Sequence, residues 1–253
     1  MLTIVTFGCE DVMSLLKFAY QAVIAACFLA SSMAFAAEQH FKTPEEAITA
    51  YIDAVKKQDF DAVLATTATD HMSTNYDFLA HTDRLKAIVI SGDMPTTDPF
   101  FISINKAINA GWSAKRIQFL IYSLMTDTAL NDAKTVVLSE HPTAATDMYA
   151  ALRTERLSGL AIAKIGLPHP AQLNGSQAQY SFAREAKMYG ADSATERVGL
   201  LSFEGRFFLI GFGLIRYGND WLIEEQASAL ADTDRLGIVK QITLEEFEAL
   251  THD

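Results

Sequence analysis

The chain is poor in cysteine and in positive charge, and it lacks the short motifs that name common chemistries. Its two cysteines, Cys9 and Cys27, both precede Glu38, so everything after that point is free of thiols. A disulfide, a cysteine nucleophile and a cysteine metal site are thereby excluded from the rest of the chain. Lys and Arg number 20 against 31 Asp and Glu, a net charge of -11 over 253 residues. Such a balance repels nucleic-acid phosphates and anionic lipid surfaces, so neither is expected as a partner. No G-x-G-x-x-G or P-loop cradles a phosphate, no G-x-S-x-G presents a serine nucleophile, and no H-x-x-x-H pair offers a zinc site. Internal repeats, low-complexity tracts and interdomain linkers are likewise missing.

What is present begins with an export signal. Lys17 follows Met13 in a short charged stretch, Phe18 to Met33 is apolar and rich in alanine, and Ala34-Phe35-Ala36 gives the small-x-small pattern of a cleavage site. Residues 1–36 therefore read as a signal peptide cut after Ala36, with Ala37 the neighbouring choice. Met1 to Val12 holds Glu10 and Asp11 but no Lys or Arg, which points to Met13 as the true start. Two alternatives stay open. The segment could remain as an uncut anchor, or Ile24-Ala25-Ala26-Cys27 could act as a lipoprotein box with Cys27 lipidated. The expected location is periplasmic or secreted, with a lipoprotein anchored through Cys27 as the other choice.

Beyond the signal, hydrophobic periodicity predicts helices first and strands last. Thr43-Pro44-Glu45-Glu46 is a helix start, and Ile48, Tyr51, Ile52 and Val55 follow at helical spacing. Asp59 caps a second short helix. Further helices are expected from Phe78 to near Gly92, from Phe100 to Ala110 with Gly111 as a stop, from Ser113 through Leu124, and from Asp147 through Leu160. Lys134 to Ser139 reads as a short strand. Gln177 to Met188 also reads as a strand, although its Ala and Glu content leaves helix open. Arg197 to Phe203, Arg206 to Tyr217 and Trp221 to Gln226 read as antiparallel strands, the last two joined by a turn at Gly218-Asn219-Asp220. A helical tail starts at Thr243. The order argues for an α+β fold with a segregated sheet.

Thr43-Pro44-Glu45-Glu46-Ala47, running on to Tyr51-Ile52-Asp53-Ala54-Val55 and Gln58-Asp59-Phe60-Asp61-Ala62, resembles the opening helix pair of exported NTF2-like (SnoaL-like) domains. Tyr217-Gly218-Asn219-Asp220-Trp221-Leu222-Ile223 resembles the closing hairpin of the same superfamily. The resemblance implies N-terminal helices packed on a curved antiparallel C-terminal sheet, a cone with a pocket inside. On this reading residues 37–253 are a single domain with a helical insertion at about 78–170. Members of that superfamily include isomerases, cyclases and dehydratases as well as pure binding domains, and sheet-to-sheet homodimers are common among them.

Candidate site residues follow from that picture. Phe208, Phe212 and Trp221 could line an apolar pocket; the competing reading is a central strand buried on both sides. Asp77, Glu185 and Glu204 are candidate proton-transfer groups, because such an enzyme needs a buried carboxyl of raised pKa. His71, Asp77, His81 and Asp83 cluster in sequence, but their spacing fits no ligand pattern, so no metal and no cofactor is expected. The function expected is binding of an apolar small molecule or an envelope protein, without catalysis. A cofactor-free isomerase or lyase, or a structural envelope protein acting as a dimer, are the alternatives.

Overall fold

The structure, a computed structural model, describes residues 40–88, 92–126 and 136–252. The signal peptide, the start at Met13, Cys27 and the first residues of the Lys134–Ser139 strand lie outside them. Helix α1 (Pro44–Lys56) begins as its sequence dictates: Thr43 Oγ1 accepts from Glu46 N at 3.2 Å, and the Glu46 carboxylate accepts from Lys42 N at 2.7 Å. Asp59 caps α2 (Phe60–Ala65) by accepting from Ala62 N. Two short helices follow, α3 (Thr69–Asn75) and α4 (Phe78–Leu85).

Helix α5 (Pro99–Met125) corrects the expectation of two helices with a break at Gly111. Gly111 lies exposed with open space where a Cβ would stand, so it merely weakens the helix. Ser113 does not cap; its hydroxyl donates back to Asn109 O at 3.1 Å, inside a continuous helix. Its 27 residues extend about 40 Å.

The segment after Thr143 carries the largest corrections. The expected long helix from Asp147 stops early: α6 covers only Ala144–Ala151, a 3-10 turn runs Thr154–Gly159, and Ala161–Gly166 is strand β1. Alanine-rich β1 has weak strand preference of its own and is held by pairing with β2. The span of about 78–170, expected to be helical, thus contains a strand. A short helix α7 (Pro170–Leu173) precedes α8 (Ser176–Met188), which replaces the strand expected at Gln177–Met188. Its Gln, Ala, Arg, Glu and Lys are helix formers, and the helix that its Ala and Glu content left open is the one that forms.

The described part of the expected Lys134–Ser139 strand, residues 136–139, is loop and turn, and the helix from Phe78 ends at Leu85, short of Gly92. The closing strands and the helical tail follow expectation, with a short added strand. Strands β2 (Ser193–Phe203), β3 (Arg206–Tyr217) and β4 (Asp220–Glu225) form an antiparallel meander, β1 flanks β2, and the two-residue β5 (Lys240–Gln241) pairs with β3. Helix α9 (Leu244–His252) closes the described chain. The fold is α+β: helices packed against one open antiparallel sheet. The main core joins Ile48, Tyr51 and Ile52 of α1 and Leu120 and Leu124 of α5 to Phe208, Phe212 and Leu214 of β3. Val198, Leu200 and Phe247 form a smaller cluster that seats α9. Among the described residues no helix is long and apolar enough to cross a membrane.

Candidate functional site

Strand β4 departs from regular pairing at one point. Leu214 faces Ile223, yet Gly213 faces Glu225, so Glu224 is an extra residue and the strand bulges there. In a regular strand adjacent side chains leave opposite faces. Here Glu224 and Glu225 gather over Gly213: a Cβ on Gly213 would lie 3.1 Å from Glu225 Cγ and 3.6 Å from Glu224 Oε2. The missing side chain makes that room. In the same row β2 supplies Glu196, which pairs with Gly213 from the other side.

Helix α8 brings Glu185 to this bulge, and α4 brings Arg84. The Arg84–Glu185 ion pair is 2.6 Å long. Glu224 hydrogen-bonds Glu185, and its carboxyl is held well above the usual carboxylate range, first by burial and then by the charges of Glu185 and Glu225. The Arg84 guanidinium is seated on the Glu185 side of this carboxyl pair. Glu225 is also raised, first by burial, with Arg116 opposing the shift from 3.5 Å.

Phenols lie beside the pair. Tyr189 ends α8, and burial followed by the charge of Glu224 pushes its hydroxyl upward. Its ring centre lies 6.0 Å from that of Tyr76, whose hydroxyl is pushed up to about 12 by burial and then by Asp93 and Asp77. Tyr76 hydrogen-bonds His81 Nδ1. Asp93, raised by burial, accepts from Asn109 Nδ2 of α5 at 3.4 Å. Tyr217 donates to Tyr189 O at 2.9 Å and stacks on His71 at 4.4 Å. The whole is a half-buried acid and phenol cluster between α4, α5, α8 and the end of the sheet. It can donate protons or hydrogen bonds, and it keeps one guanidinium in reach.

The residues singled out from sequence are dispersed. Glu185 sits in this cluster. Asp77 caps α4 by accepting from Ala80 N at 2.9 Å, and Glu204, in an exposed turn, pairs with both nitrogens of the Arg156 fork. Phe208 and Phe212 are packed in the core, Phe212 meeting Tyr51 edge-on at 5.8 Å. Trp221 lies half-buried under the Arg216 guanidinium, with its backbone N–H donating to Phe41 O. His71, His81, Asp77 and Asp83 are each engaged separately, Asp83 with Lys86 at 2.5 Å. Among the described residues no group of three His, Cys, Asp or Glu converges as a metal site. Glu224 and Glu225 escaped the sequence reading, because strand alternation sends neighbours apart and only the bulge reunites them.

No protein-family model matches the chain, and no curated protein matches it. Among solved structures it is similar to a cystatin-like protein from Ruminococcus gnavus ATCC 29149, with a TM-score of 0.52 and 15% identity, over 79% of this chain and 44% of that one. The chain thus spans less than half the length of that neighbour. The likeness shows the fold alone, helices packed on an open antiparallel sheet.

Proposed function

We propose that this is an exported domain that binds a small polar molecule at the Glu185–Glu224 pair. The carrying observation is that pair: the half-buried Glu224 carboxyl, held well above its ordinary range and hydrogen-bonded to Glu185, with Arg84 2.6 Å from Glu185 and the Tyr189 phenol nearby. Fold stability does not call for such an arrangement, since an apolar filling of the same volume is cheaper. The ligand it suits presents acceptors to the Glu224 acid and the phenols, rather than the purely apolar molecule expected from the aromatic residues of β3. Export rests on the signal pattern at residues 1–36.

Native mass spectrometry on protein made with its own N-terminal segment and taken from the cell envelope tests both parts. The expected result is a chain shortened by its signal and carrying one extra small mass, which Glu224→Ala and Glu185→Ala lose. Full-length protein confined to the cytoplasm would sink the export reading, and a bare wild-type mass would sink tight ligand binding.

One observation favours a second reading, a cofactor-free isomerase or lyase. The Glu224 carboxyl, raised by burial, stands beside Glu185, and two carboxyls in unlike environments are how one site holds a general acid and a general base together. Turnover of the captured molecule, lost in Glu224→Gln while binding persists, would establish it.

A further inference from the structure

Helix α5 is apolar on the side that faces outward. It carries Lys106, Lys115 and Arg116 but no Asp or Glu, in a chain of net charge -11. Of its exposed positions only Ser103, Lys115 and Gln118 have polar side chains, whereas Phe100 is 67% exposed, Trp112 48% and Ile108 41%. The outward face of a surface helix is ordinarily polar, and a long apolar one marks an interaction surface. Phe101, Ile104, Ile108, Trp112 and Phe119 recur at helical spacing and form one stripe beside the buried side. From Phe101 to Phe119 it runs about 27 Å.

The order of side chains in the stripe points to what covers it. Phe101 and Ile108 precede Ala110 by the same intervals at which Phe119 and Trp112 follow it. A stripe symmetric about its midpoint fits a reversed copy of itself: Phe101 meets Phe119 and Ile108 meets Trp112, on both sides of a twofold axis. Charge favours the same arrangement. Lys106 pairs with Asp70 at 3.0 Å and Arg116 with Glu225 at 3.5 Å. Lys115, 4.8 Å over the Phe119 ring, is the α5 cation without a carboxylate among the described residues. In a parallel pair Lys115 would lie on Lys115 of the second copy. In an antiparallel pair the two stand about 15 Å apart, beyond the screening length of about 8–10 Å. A lipid surface fits less well, because interfacial helices set several cations beside their apolar face.

We propose that α5 pairs antiparallel with α5 of a second copy of this chain, in a reversible homodimer. A stripe of this length on a helix about 10 Å wide buries on the order of 500 Å² per copy, against about 800 Å² per partner in a standard interface. The dimer is therefore a weak one, with a Kd of about 10 μM. The interface is separate from the Glu185–Glu224 pair and does not depend on what binds there.

The test is sedimentation equilibrium of the full chain from about 1 to about 200 μM, where a monomer–dimer equilibrium is the expected result. Ile108→Glu and Trp112→Glu change exposed positions, and circular dichroism checks that each variant is folded. Each should weaken association at least about tenfold, because the new carboxylate is buried unpaired in the dimer. Direction is read by disulfide trapping, since no cysteine follows Cys27. A mixture of Phe101→Cys and Phe119→Cys proteins should give the mixed disulfide on mild oxidation. Neither variant alone should link to itself, because its two copies lie about 27 Å apart. The proposal fails if the wild type is monomeric at the highest concentration, or if either folded Glu variant dimerises like the wild type. It fails equally if the mixed disulfide is no more abundant than the self-linked ones. Co-flotation of a monomeric wild type with phosphatidylglycerol vesicles would assign the stripe to lipid and overturn the dimer.

Discussion

Tyr51 serves two neighbours at once. Its ring meets Phe212 edge-on, and its hydroxyl, fully buried, donates to Gln226 Oε1 at 2.8 Å; Gln226 Nε2 then donates to Gly237 O at 3.1 Å. Tyr51→Phe keeps the ring and strands the Gln226 oxygen, so a loss of about 1–3 kcal/mol in urea unfolding is expected. Phe212→Ala removes the ring partner from a site with no exposure and should cost about 3–5 kcal/mol in the same assay. The ratio of the two reports how far packing outweighs the polar link. At this scale the core was legible, because Ile48, Tyr51 and Ile52 announce their shared face by spacing alone. The candidate site was much less so. Glu185 can be picked from a sequence as one carboxylate among many, but its partner Glu224 acquires its position from Gly213 on another strand.

Elements were readable where local signals and tertiary contacts agree, and misread where they compete. Caps at Thr43 and Asp59 are satisfied as the sequence says, whereas β1 exists through its pairing with β2 and α5 runs through its glycine. Two glycines make the contrast measurable. A Cβ at Gly111 meets nothing within 4 Å, so Gly111→Ala should stabilise α5 by about 0.5–1 kcal/mol. At Gly211 the strand is crossed by the loop after β4, and a Cβ would lie 2.3 Å from Ser228 N and from Thr233 Oγ1. Backbone at that distance cannot yield, so Gly211→Ala should cost about 3 kcal/mol, read as a lowered denaturation midpoint. Equal effects at the two positions would refute the packing described for β3.

The molecule as a whole holds protons that its unfolded chain would release. Burial raises Glu224, Glu225 and Asp93 above their ordinary values of 4.5, 4.5 and 3.8. A raised carboxyl binds more protons folded than unfolded above that ordinary value, so each of the three removes stability as pH rises toward its folded pKa. Exposed Glu246 and Glu248, lowered by Thr243 and Lys164, act in the opposite sense and give up their small contribution as pH falls below about 4.5. Stability is therefore expected to peak on the mildly acidic side and to decline toward neutrality. Glu224→Gln should flatten that decline in urea titrations run between about pH 4.5 and 8; an unchanged slope would mean that Glu224 is ionised in the folded chain. The bulge that creates this carboxyl pair is also a point where sequence length and surface chemistry trade places. Deleting one residue from Glu224-Glu225 would restore even alternation to β4, leave every other strand in register, and dissolve the acidic pair in a single step. Among descendants of this chain, a one-codon gap at that spot would mark the lineages that kept the scaffold and changed what it holds.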